Sequence, residues 1–318
     1  MPKTTGLHDL PQDIIEHEIG EYLTEKDKSA LALTSRTTQH LFQPDRLQMM
    51  VNKLLLAVMH GEQDRAEKIL KRHPELLEMT GKATDYSGRT FNTTAFQYAL
   101  WALDTRYMCN MILDCLPNNP KGEAIKQALL TQFKAHEQDG VIYTLNGVTI
   151  HETHYNFSSL IEALQTYINN YRGWFETDNL VAMKNQWSKV VGLAQRYVPA
   201  HVAQHYCDPD ESFDPTPLFN KKEFRRSLSF YNCVNKCPEF WFAAVSSTSG
   251  LGVNFGIFRV SSAPGAMGRS VFRMFADLPA VIALCKVRTA DLVSLLLRLQ
   301  SPIQEPDVDP EMLQFVSS

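Results

Sequence analysis

Leu10-Pro11-Gln12-Asp13-Ile14-Ile15, then Glu18-Ile19-Gly20-Glu21-Tyr22-Leu23 and Thr24-Glu25-Lys26-Asp27-Lys28-Ser29-Ala30-Leu31-Ala32-Leu33-Thr34-Ser35-Arg36, form the stretch on which the reading of the fold turns. They read as two very short helices. Pro11 suits the first helical position, where a backbone N–H would be unpaired in any case. Ile15, Ile19, Tyr22 and Leu23 recur at i, i+4, i+7 and i+8 and so share one apolar face. Thr24, followed three residues later by Asp27, is a capping signal for the second helix. A helical pair this short is marginal by itself, because nucleation is costly and most helical stability comes from tertiary packing. The apolar face must therefore meet a partner, either the protein's own core or another molecule.

The order Leu-Pro-x-acid-Ile, Ile-x-x-x-Leu and an Asp ahead of Leu-x-x-x-Ser-Arg resembles the F-box, from Leu10 to about Leu47. The F-box is the short helical module that docks on the Skp adaptor of cullin–RING ubiquitin ligases. The resemblance implies that Leu10, Pro11, Ile14, Ile19, Leu23 and Leu31 face that adaptor. Lys28 stands where the family usually has an apolar residue, and Thr38 where it often has Trp, so the contact is expected to differ there.

Bulk properties limit the rest. The 318 residues are enough for two or three domains, and 44% hydrophobic content excludes general disorder. A formal charge of -4 supplies no basic field, which excludes phosphate-backbone binding as a main activity. The six cysteines, at 109, 115, 207, 233, 237 and 285, are scattered and fit reduced thiols better than a disulfide framework. The longest apolar run, Leu278 to Leu299, is interrupted by Lys286, Arg288 and Asp291, so no membrane span is expected. The start of the chain lacks the apolar core of a secretory signal, and a cytosolic setting is expected.

After Pro44, the residues Leu47, Met50, Val51, Leu54, Leu55 and Val58 keep helical spacing, as expected of one helix joining the first module rigidly to the rest of the chain. The pair 54–61 and 66–70 resembles an ankyrin repeat: helix, Gly turn, helix. A second copy comes next, with a turn at Asp85-Tyr86-Ser87-Gly88-Arg89-Thr90, a helix from Thr94 to Trp101 and another from Thr105 to Leu116. Aligning Ala57 with Ala99 gives a period longer than that of ankyrin, and the excess falls between Leu76 and Thr94. That segment is expected to be an enlarged, exposed finger. Tyr86, Arg89 and Phe91 would then offer a target protein the aromatic and Arg anchors favoured at hot spots.

Beyond Pro117, helices are expected over 123–135, 157–168 and 180–194. Asn146-Gly147 between Val141–Leu145 and Val148–Ile150 predicts a hairpin with a type I′ turn. The residues from Tyr206 to Phe219 form a turn-rich connector. A second hairpin is expected from Phe240–Val245 and Val253–Val260, and two apolar helices from Val271–Leu284 and Asp291–Leu299. The acidic tail ending near Val316 resembles the translocation signals of bacterial type IV effectors, and it is read as disordered.

Candidate chemistry is sparse. In His151-Glu152-Thr153-His154 the second His falls one position short of zincin spacing. His201 and His205 share a helical face and could gather Cys207, Cys233 and Cys237 around zinc, but nothing else in the sequence assembles that set. Cys207 beside a His could be a nucleophile. Ser247-Thr248-Ser249 resembles the central motif of arginine-specific ADP-ribosyltransferases, without the acidic motif that family needs downstream. The stretch 250–256 lacks the final glycine of a dinucleotide loop.

The fold expected is mainly α. It has an F-box over 1–47, ankyrin-like helical repeats over 48–117, a mostly helical C-terminal domain with two inserted β-hairpins over 118–302, and a tail over 303–318. The function expected is a non-enzymatic substrate adaptor that binds the host Skp adaptor and cullin and presents an unidentified host target for ubiquitination. The protein would be secreted by a bacterium into the host cytosol. No catalytic residue, metal or cofactor is assigned. The region from Pro120 to Gln300 is large for a passive spacer, so the alternative is an effector enzyme of cysteine-hydrolase or ADP-ribosyltransferase type.

Overall fold

The computed structural model describes residues 10, 14, 19, 22–233, 235–243, 250–259, 266–268 and 275–303. Thr24 opens α1 (Glu25–Leu31) with a reciprocal cap: its hydroxyl accepts the Asp27 N–H, and the Asp27 carboxylate accepts the Thr24 N–H. Ser35 then caps α2 (Arg36–Met59), accepting the Thr38 N–H at 3.1 Å. The 24 residues of α2 include Pro44 and run without a break from the first module into the core. Its Val51, Leu54, Leu55 and Val58 are buried, as the spacing predicts.

Gly61, with φ +67°, turns the chain into α3 (Gln63–Leu70). A 3₁₀ turn at Pro74–Glu78 leads to β1 (Gly81–Thr84) and β2 (Thr90–Thr93). α4 (Ala95–Trp101) comes next, capped by Thr94, then a π-helical turn at Thr105–Cys109 running into α5 (Asn110–Asp114). α6 (Pro120–Asp139) starts behind Asn119, with Pro120 at its first position.

β3 (Val141–Leu145) and β4 (Val148–Glu152) pair Leu145 with Val148, and Asn146 and Gly147 take φ +51° and +78°. Those two positive angles are what a type I′ turn requires. α7 (Ser158–Glu176), α8 (Leu180–Asn185), a second π-helical turn (Gln186–Val191), α9 (Gly192–Arg196) and α10 (Ala200–Cys207) build the next layer. Irregular chain over 208–228 precedes β5 (Ser229–Asn232), β6 (Cys237–Phe240), β7 (Ile257–Arg259), β8 (Ala266–Gly268) and α11 (Asp277–Gln300).

The chain is thus mainly α-helical, 57% helix, with two small sheets. Three expectations need correction. The finger is not a protrusion: β1 and β2 join β3 and β4 in one sheet of order β1-β2-β3-β4, because Phe91 pairs with Tyr143 and both rings are buried against Trp101. The second hairpin is not 240–245 against 253–260. β5 pairs with β6, and β7 with β8, in a sheet of order β6-β5-β8-β7, since Trp241 and Phe242 are drawn into the core at the end of β6. The last two apolar helices are one, α11, where Lys286 is exposed while Arg288 is fully buried among polar partners. One hydrophobic cluster runs from Val51 to Leu299, across the division expected at residue 117. Among the described residues no helix is long and apolar enough to cross a membrane.

Candidate functional site

Among the described residues, the N-terminal module has a small interior of its own. Ala32 and Phe42 are buried together, with Leu23 and Leu31 packed partly against them, as a cluster separate from the main core. Around it apolar side chains stay open: Leu10 is 37% exposed, Leu33 75% and Tyr22 87%. Ile14 and Ile19 are half-buried. Pro11 and Ile15 lie outside the described residues. The two positions at which the sequence departs from the F-box pattern both fix the module to α2. Lys28 Nζ lies 2.8 Å from the Asp45 carboxylate, and Thr38 is buried within hydrogen-bond reach of Ser35 and Thr34.

Of the three residues expected to meet a target, two are interior. Arg89 is 3% exposed; its Nε donates to Asp85 at 2.8 Å and its Nη1 to the Tyr197 carbonyl at 2.8 Å. The Asp85 carboxylate also accepts the N–H groups of Ser87 and Arg89, which folds the 85–89 turn around it, with Gly88 at φ +86°. The guanidinium lies 4.7 Å from the Trp101 ring. The hydrogen bonds from Arg89 to the Tyr197 carbonyl and from Ser87 to the Arg196 carbonyl tie the β1–β2 turn to the end of α9 and the chain after it. Phe91 is fully buried, so it and Arg89 cannot serve as surface anchors, while Tyr86 remains half-buried.

Tyr86 lines an open cleft of about 880 Å³. His60 stacks on one face of its ring at 3.7 Å and Phe242 on the other at 4.5 Å, with Phe240 edge-on. Arg65 and Lys68 from α3 line the cleft as well, together with Arg225. Burial lowers the pKa of His60, and Glu62 and Asp85 oppose that only in part, so the ring is neutral near pH 7.

Arg226 also lines the cleft. Its guanidinium donates to both oxygens of Asp104, at 2.7 and 3.1 Å, to Gln63 at 2.8 and 3.1 Å, and to Gln204 at 3.0 Å. Burial alone would raise the Asp104 pKa; Arg226 overrides it and holds the carboxyl down at about 2. Nothing in the sequence marks this group, because Arg226 and Asp104 are 122 positions apart and neither belongs to a motif.

His201 and His205, the pair that the sequence offers for zinc, are buried on α10. His205 Nε2 faces Arg288 at 3.1 Å, and since Arg can only donate, Nδ1 carries the proton and donates to Glu211 at 2.8 Å. Burial, then Arg288 and Arg226, push its pKa well below the usual value. His201 is buried, burial pushes its pKa down to about 3, and neither ring nitrogen has a hydrogen-bond partner among the described residues. Cys207 is buried and burial pushes its thiol pKa up, the opposite of what a nucleophile requires, while Cys233 and Cys237 are exposed on the β5–β6 hairpin. Among the described residues no group of three or more His, Cys, Asp and Glu is placed to hold a metal ion. Glu152 accepts from Tyr143 and Trp101, and His154 reaches the Leu100 carbonyl, so the 151–154 motif anchors the hairpin. Ser247 to Ser249 lie outside the described residues.

Fold and surfaces together define a mainly α-helical protein with two small sheets, one open N-terminal module and one aromatic, mixed-charge cleft. Residues 159–299, from the first turn of α7 to the end of α11, match the family described as the CBUA0006 C-terminal domain. CBUA0006 of Coxiella burnetii (strain RSA 493 / Nine Mile phase I), an uncharacterized protein, is 38% identical over 294 residues, which cover 86% of this chain and 79% of the relative. The chain belongs to the CBUA0006 family. No solved structure matches it.

Proposed function

We propose that the protein is an F-box substrate adaptor that docks on the Skp adaptor of a cullin–RING ubiquitin ligase and presents a bound target protein, as a bacterial effector in a host cell. The observation that carries this reading is the state of the module's apolar face. Leu10, Tyr22 and Leu33 stay exposed, with Ile14 and Ile19 half-buried, around a cluster whose described members are the buried Ala32 and Phe42 and the partly buried Leu23 and Leu31. An apolar surface left open at the end of a rigid 24-residue helix suits short-helix recognition by a grooved partner.

In this reading the helix pairs α2–α3 and α4–α5 are ankyrin-like supports, and target contact falls on the cleft at Tyr86. The protein makes and breaks no bond. It raises the effective concentration of a target lysine beside a loaded ubiquitin-conjugating enzyme, and rate comes from proximity and orientation. The bacterial source of the relative and the acidic tail support the effector part.

The test is affinity capture from a eukaryotic lysate with the full chain and with the double variant Leu10→Ala, Pro11→Ala. The wild type is expected to retain the Skp adaptor and cullin, and the variant to lose both. Equal capture of the adaptor by the two proteins rejects the reading.

A further inference from the structure

We propose that the groove between α2 and the open end of β1 binds an extended, acidic peptide segment by strand addition. β1 is an edge strand of its sheet. Its register with β2 and the Asp85 N–H to Arg89 carbonyl bond show which residues face inward: Gly81, Ala83 and Asp85 exchange bonds with β2. The backbone groups of Lys82 and Thr84 therefore point to the free edge.

The first part of that edge is already covered. The Lys82 N–H donates to Asn52 Oδ1 at 2.9 Å, and Gln48 Nε2 donates to the Thr80 carbonyl at 3.0 Å, so side-chain amides of α2 stand in for a neighbouring strand. The next groups, the Lys82 carbonyl and the Thr84 N–H, make no hydrogen bond among the described residues. Between them and α2 lies a groove of about 540 Å³ with Met49, Leu56 and Ala83 on its apolar side. One donor, one acceptor and an apolar trough are the elements of peptide capture at a sheet edge.

Charge selects the occupant. Lys53 and Lys82 line the groove, are exposed, and have no ion-pair partner among the described residues, whereas the groove's carboxylate, Asp45, is engaged by Lys28. In a chain of net charge -4 this is a local excess of positive charge, complementary to a strand carrying Asp or Glu on alternate residues. The inference deepens the adaptor reading, on which it rests only for calling the bound segment part of a target.

The experiment is fluorescence anisotropy on the full chain, with a labelled decapeptide of alternating valine and glutamate and a control in which lysine replaces glutamate. The acidic peptide is expected to bind saturably, roughly tenfold more tightly than the basic one. Thr84→Pro removes the outward N–H and leaves the β2 ladder untouched, since proline is tolerated where the N–H faces away from the sheet. It is expected to weaken binding roughly tenfold, as is the double reversal Lys53→Glu, Lys82→Glu. Should Thr84→Pro lower the melting temperature, the readout becomes hydrogen exchange at the Thr84 amide of the wild type, expected to slow when the acidic peptide is added. No binding, equal binding of the two peptides, or binding indifferent to both variants with no slowing at Thr84 overturns the proposal. So does a concentration-dependent dimer abolished by Thr84→Pro, which would give the edge to a second copy of the chain. Peptide failure with Skp adaptor capture intact overturns the groove alone, and the reverse pattern overturns the ligase reading alone.

Discussion

The module around Phe42 and the body from Val51 to Leu299 solve the burial of apolar surface in opposite ways. The body closes over its charges: Arg89 pairs with the neighbouring Asp85 and reaches the distant Tyr197 carbonyl, Arg226 pairs with the distant Asp104, and Arg288 pairs with the neighbouring Asp291 and reaches the distant His205. Among its described residues the module buries Ala32 and Phe42 together, carries the part-exposed Lys28–Asp45 ion pair, and leaves Leu10, Tyr22 and Leu33 open. A closed body fixes positions; an open module offers a surface. Stability and binding should therefore separate between the two regions on mutation.

The largest expected effect lies in the body. Arg89→Ala strands the Asp85 carboxylate at 3% exposure and should cost about 3–5 kcal/mol, read as a large drop in melting temperature. A drop comparable to that of an exposed-pair variant such as Arg172→Ala would contradict the closed-body picture.

Acid should act on the same region. His201 and His136, held at about 3 and about 4 by burial, have an unfolded value near 6.5. Between those values the unfolded chain binds more protons, so stability falls as pH drops below about 6.5, by up to ~1.4 kcal/mol per histidine per pH unit. The loss levels off near the folded values. Asp104, held down at about 2, acts in the same direction: its stabilisation is present above about pH 4 and is lost as pH falls toward 2. Melting temperatures constant from pH 7 to 4 would show that these histidines are not buried.

Within the module the effects become local. Phe42→Ala removes the large side chain of the cluster described around Ala32 and should raise hydrogen exchange across α1 while the body's main transition moves little. A cooperative loss of the whole fold would mean that module and body are one unit.

The smallest effect on stability, and the largest on binding, is expected from Leu33→Glu at the open face. At 75% exposure it should shift stability within about ±0.5 kcal/mol, yet abolish adaptor capture. Retained capture would place the docking contact elsewhere on the module.

Local signals carried much of this architecture. The Thr24 and Asp27 cap, the Asn146-Gly147 turn, the helical spacing through α2, α6 and α7, and the absence of a membrane-spanning helix among the described residues were all legible, because each depends on residues within a few positions of one another.

What tertiary structure alone decided is where distant residues met. Arg89 and Phe91 looked like surface anchors in a turn-rich segment, yet a strand 50 residues on, Trp101 and the chain after α9 enclose them. The sheet of β5 to β8 is joined by the parallel pairing of β5 with β8, which no hairpin spacing announces, and Arg226 reaches Asp104 across 122 positions. Turn chemistry and periodicity are properties of neighbours in sequence. Burial, and the pairing that makes a buried charge tolerable, depend on neighbours in space, and those exist only once the chain has folded.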